Sequence, residues 1–138
     1  DLKAAVGSAR EAFAGEHAAV AWPGAPRPVL AADLLAERAL GDDADARQRL
    51  VDEVYVPLAA HEVLLHTLTG YFDCGSALEA TARALYVHPN TVRYRLRRVT
   101  ELTGYSPTAP RDAFSLRIAL TLGRLAGGDA TPRPAVTA

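Results

Sequence analysis

The stretch from residue 76 to residue 104 leaves little conformational choice. Ser76 and Glu79 stand at capping-box spacing, in which the serine oxygen accepts the N3 backbone N–H and the glutamate reaches back to the serine N–H. That predicts a short helix over about 77–85. Pro89 suits the first turn of a second helix, and its ring biases His88 away from the α region. Only Tyr86 to His88, about three residues, remain for the connection. The second helix runs to Thr103, and Gly104 supplies the left-handed residue that follows a last turn. Two short helices joined by a tight turn, the second rich in arginine, form the helix-turn-helix layout, whose second helix enters the DNA major groove.

Helical phase sorts the residues of the second helix. At about 100° per residue, Val92, Leu96 and Val99 fall within roughly 40° of one direction and form the core face. Asn90, Tyr94 and Arg97 point the opposite way, with Thr91, Arg93 and Arg98 flanking them. Arg95 lies only about 70° from the core axis, so it is expected to bury its stem and pair with an acid. Arginine can bond bidentately to guanine, asparagine to adenine, and threonine to a phosphate or a thymine methyl. An arginine run standing alone is more often a solvated face. The cap spacing, the tight turn, the helix-starting proline and the local charge together favour DNA.

Charge sharpens this. Residues 1–75 hold 6 Lys/Arg against 12 Asp/Glu, whereas residues 76–138 hold 9 Arg against 4 Asp/Glu, so only the C-terminal half suits a polyanion. At 138 residues, 49% hydrophobic and 22% charged, the chain can bury a core and is not expected to be disordered. One cysteine excludes an internal disulfide, and neither a long apolar run nor a signal-peptide layout is present. A cytoplasmic location and no membrane insertion are expected. Position 1 is Asp, which suggests a fragment with a missing partner domain.

Upstream, residues 1–13 have helical spacing and Ala18 to Trp22 is an apolar run that could be a strand. Pro23, Gly24, Pro26 and Pro28 break regular structure, so residues 1–28 are expected to be a linker and the remnant of a preceding domain, with Trp22 at a packed edge. Ala31 to Leu40 reads as a helix stopped by Gly41, and Asp42, Asp43 and Asp45 offer caps for another running to about Val54. Pro57 then opens a helix whose stripe of Leu64, Leu65, Leu68 and Phe72 ends at Cys74 and Gly75, with His61 in phase and partly buried. After Pro107 and Pro110, Phe114, Ile118, Leu122 and Leu125 define one face of a last amphipathic helix. Residues 126–138 are expected to be a mobile tail. His61 and His66 have the wrong spacing for a metal pair, and Cys74 has no histidine partner. No catalytic residue, cofactor or metal is expected.

The stretch Ser76-Ala-Leu-Glu-Ala-Thr-Ala-Arg-Ala-Leu-Tyr-Val-His-Pro-Asn-Thr-Val-Arg-Tyr-Arg-Leu-Arg-Arg-Val99 resembles the C-terminal helix-turn-helix of PucR-type bacterial transcription regulators, relatives of the CdaR-like sugar-diacid regulators. His88 to Arg98 is its most specific part. Residues 101–104, 110–120 and 50–58 extend the resemblance over about 30–125. It implies an all-α DNA-binding domain of five or six helices over 29–125, with the helix-turn-helix at 76–103. It further implies transcriptional control, frequent oligomerisation and an N-terminal sensory part. His88, Asn90, Thr91, Arg93 and Tyr94 then lead a recognition helix at 89–103, Arg97 and Arg98 extend its basic face, and Ser76 could meet a phosphate. The competing reading is a helical oligomerisation or protein-interaction module that does not read DNA. Leu116 and Leu120, on a second apolar face of the last helix, suggest a homodimer or higher even assembly.

Overall fold

A computed structural model of the chain describes residues 1–127. Among these residues there are eight α-helical segments and no strand. They are α1 (Leu2–Ala18), α2 (Leu35–Leu40), α3 (Ala44–Leu50), α4 (Val56–Ala59), α5 (Glu62–Asp73), α6 (Leu78–Leu85), α7 (Pro89–Thr103) and α8 (Pro110–Gly127). The all-α expectation holds. No helix here is long and apolar enough to cross a membrane. The expected mobile tail falls almost wholly outside the described residues, although α8 continues through Ala126 and Gly127.

Three local expectations give way. The apolar run after Ala18 is a 3₁₀ turn, Ala19–Ala21, rather than a strand, because α1 propagates straight into it and no second strand exists among the described residues to pair with it. Pro57 does not open a helix. A π-helical turn, Val51–Tyr55, joins α3 to α4 into one rod over 44–59 that runs through the proline. Pro57 has no N–H for the Glu53 carbonyl and would crowd it, and the wider turn just before gives the ring room. The rod breaks at Ala60 and His61 instead. His61 therefore lies ahead of α5, exposed, with Nδ1 3.0 Å from the Pro57 carbonyl oxygen, and not on the buried stripe.

The third concerns α8. Its buried face carries Leu116, Ala119 and Leu120, at 0%, 0% and 3% exposure, whereas Phe114 and Leu125 face solvent and Ile118 and Leu122 only flank the core. Both faces of this helix are apolar, so periodicity alone could not choose between them. A close approach chooses: a β-carbon added at Gly123 would lie 2.0 Å from Cγ of Tyr55, so the 44–59 rod crosses α8 where only glycine lets it. Around this crossing Leu50, Val54, Leu58 and Leu68 are buried together with Val92 and Val99 of α7. Helix α7 is thus mounted on the same core as α8.

The N-terminal helix is tied on by close packing and charge. A β-carbon at Gly15 would come within 2.7 Å of Cβ of Ala31, and the Glu11 carboxylate accepts from Arg38 (3.4 Å) and Arg49 (3.2 Å). Arg111 of α8 donates through both Nη atoms to the buried Glu37 of α2, and its guanidinium lies 3.9 Å from the centre of the Trp22 ring. Trp22 is therefore half-buried at an edge, held by a cation–π contact.

Candidate nucleic-acid interface

The helix-turn-helix is built from chain punctuation, but one register step differs from the capping-box expectation. Ala77, not Ser76, occupies the N-cap of α6 and makes no side-chain cap. The end of α5 is the reason. Gly75 and Ser76 both take positive φ, and their N–H groups satisfy the Phe72 and Tyr71 carbonyls, so Ser76 closes the preceding helix and cannot adopt the extended backbone of a cap. Its hydroxyl accepts instead from Arg117 of α8, at 3.4 Å.

The turn itself follows the expected plan. Tyr86 takes φ 55, with its N–H on the Arg83 carbonyl and the Val87 N–H on the Ala82 carbonyl, the two bonds of a Schellman ending. His88 is extended (φ −70, ψ 144), Pro89 follows in the first turn, and His88 Nδ1 accepts the Asn90 N–H at 3.0 Å. This pose leaves the histidine ring at the tip of α7. At the far end Gly104 takes φ 80.

On α7 the phase argument is met. Val92, Leu96 and Val99 are buried, while His88, Asn90, Arg93, Tyr94, Arg97 and Arg98 are exposed and Thr91 is half-buried. The exposed side chains are not equally free. Asn90 accepts from Arg93, and Arg98 pairs with Glu101 one turn on, which tethers both guanidiniums to the helix surface. Arg97 makes neither a hydrogen bond nor an ion pair among the described residues. Arg95 turns back into the protein, and its Nη1 donates to the buried Thr67 hydroxyl at 3.2 Å rather than to an acid. Its stem lies against α5, and a hydroxyl is what α5 presents there.

Beside this face lies a cleft of about 340 Å³ lined by Tyr71, Leu78, Leu96, Arg93, Arg97, Thr100 and the 106–108 loop. The start of α6 and the middle of α7 therefore border one concave, basic surface. Residues 78–103 carry five arginines against two glutamates, so the field there favours a polyanion. Two residues beyond the sequence expectations lie at the two ends of α6. Arg117 lies over the Phe72 ring (4.2 Å) beside Ser76, and Tyr86 stands 95% exposed on the turn. Helical periodicity carries no signal for a turn residue, but the lack of glycine or asparagine after Leu85 marks Tyr86 as unusual.

Residues 64–122 match the PucR C-terminal helix-turn-helix domain. An uncharacterized protein of Mycobacterium tuberculosis is 58% identical over 125 residues, 90% of this chain and 30% of its own length. The purine catabolism regulatory protein of Bacillus subtilis is 47% identical over 62 residues, 45% of this chain and 12% of that protein. The crystal structure of a regulator of polyketide synthase expression from Bifidobacterium adolescentis superposes with a TM-score of 0.80 at 44% identity, over 85% of this chain and 47% of that one. The chain thus spans less than half the length of these relatives. The chain is thus similar to PucR-type regulators over residues 64–122, which hold its helix-turn-helix and the helices packed on it.

Proposed function

We propose that this chain is the sequence-specific DNA-binding part of a bacterial transcription regulator, with α7 seated in the major groove. One observation carries the reading: the face of α7 opposite the buried Val92, Leu96 and Val99 displays Asn90, Arg93, Tyr94 and Arg97 to solvent. Those side chains are the types that read base edges, and Arg97 is uncommitted within the protein. His88, Thr91 and Arg98 at the margins and Ser76 beside Arg117 suit phosphate contacts that set register rather than sequence. The chain acts without catalysis, in the cytoplasm, as the output part of a longer regulator whose sensory part lies upstream. Two copies, as a homodimer or higher even assembly, would read half-sites about 34 Å apart or a multiple of it.

The test is selection of duplexes from a randomised pool, followed by titration at several salt concentrations. Enrichment of a defined site, with affinity falling steeply as salt rises, is expected. Arg93→Ala and Arg97→Ala should each weaken binding with helicity and melting unchanged. A base-reading loss is about 1 to 3 kcal/mol, whereas loss of a phosphate contact lowers the salt slope by about one unit. Salt-indifferent self-association with no retention of DNA would replace this reading with that of an assembly module.

A further inference from the structure

Among the described residues, three non-glycine residues hold positive φ: Asp42, Ser76 and Tyr86. The first two have side-chain partners, since Asp42 accepts from Arg47 at 2.7 Å and Ser76 from Arg117. Tyr86 has none. The residue is 95% exposed, so its side chain buries almost nothing that offsets the steric cost of the left-handed conformation, and the two Schellman bonds require only backbone atoms. Glycine or asparagine would close α6 at lower cost. A phenol displayed at such a point has its use outside the chain.

Position indicates what it meets. Tyr86 precedes His88, the N-cap of α7, by two residues, so their Cα atoms are no more than about 7 Å apart. The exposed Arg83 lies on the last turn of α6 just before it. Resting on the DNA reading above, we propose that the Tyr86 hydroxyl donates a hydrogen bond to a backbone phosphate at the edge of the groove that receives α7. Tyrosine hydroxyls are common phosphate donors, and an uncharged donor of this kind fixes register without releasing a counterion.

The experiment compares wild-type chain, Tyr86→Phe, Tyr86→Asn and Tyr86→Gly in thermal melting and in binding to the duplex selected on the wild type, at two salt concentrations. All three variants should weaken binding about three- to tenfold, the scale of one net hydrogen bond, with the salt slope unchanged. Tyr86→Asn and Tyr86→Gly should melt at or above the wild-type temperature. Full affinity in Tyr86→Phe overturns the phosphate contact, and a lowered melting temperature in Tyr86→Asn and Tyr86→Gly overturns the premise that the ring contributes nothing to the fold. A reduced salt slope in Tyr86→Phe would mean that a charged neighbour carries the contact. Failure of the wild type to retain either the selected or a mixed-sequence duplex would instead overturn the DNA reading itself, a separate result.

Discussion

Four arginines occupy six positions of α7, and residue type says nothing about how they divide. Arg95 reaches the Thr67 hydroxyl, Arg98 pairs with Glu101, Arg93 donates to Asn90, and Arg97 is left to solvent. The division follows angle around the helix, and the angle is set by which side is buried. Leu96 anchors that side at 4% exposure, between Val92 and Val99 at 0%. Leu96→Ala should therefore destabilise the fold by about 2 to 5 kcal/mol, because transfer energy is lost and a cavity remains. DNA binding should fall with it. Chemical denaturation checks this, and an unchanged midpoint would mean that α7 is rotated away from the assignment made here.

At the scale of elements, helix ends depend on what precedes them. The α2–α3 corner shows a cap that meets its expectation: Asp43 accepts the Ala46 N–H at 3.1 Å and the Nε of Arg38 at 2.9 Å, and Arg38 is itself buried. Burial alone would raise the Asp43 carboxyl, but the Ala46 N–H and the Arg38 guanidinium outweigh it and hold it below its ordinary value. A depressed carboxyl contributes stability that is fully present above the unfolded value, about 3.9, and is lost as pH falls through the lower folded one. Asp43→Ala should cost about 2 kcal/mol at neutral pH, through the lost cap and the lost charged hydrogen bond. The deficit relative to wild type should shrink as the medium is acidified below about pH 4, as melting curves across pH would show. A deficit that stayed constant down to the acid limit would contradict the assignment. At the α5–α6 junction the same chemistry fails for Ser76, since the serine backbone is already used in ending α5.

At the scale of the whole molecule, the last helix changes the terms on which assembly is tested. Leu116 and Leu120 are core residues that hold α8 beneath the 44–59 rod, so charges placed there would unfold the chain rather than split a dimer. Phe114 and Leu125, eleven residues apart and therefore on one side of α8, are the apolar groups this helix leaves to solvent, at 37% and 75% exposure. The proposed homodimer should sediment as such at tens of micromolar. Phe114→Glu with Leu125→Glu should return it to monomer while the melting temperature holds. A monomeric unmodified chain, together with selected sites that lack an inverted repeat, would remove the dimer from the reading.

The helix-turn-helix was legible because its signals are local: Pro89 acts on His88, Gly104 on the turn before it, and the spacing of Val92, Leu96 and Val99 on one face of one helix. Such interactions reach about four residues along the chain, so the order of residues alone determines them. The N-cap of α6 follows from how α5 ends just before it, but the choice between two apolar faces of α8 was decided elsewhere. The α8 face depends on Tyr55 meeting Gly123 across 68 positions of sequence, and no period within either helix encodes that encounter. The sequence by itself determined where α7 begins, ends and turns its core face. The tertiary structure decided that Arg95 turns inward, because the Thr67 hydroxyl of a distant element claims it, whereas Arg93 and Arg98 are held by neighbours three positions away on α7 itself.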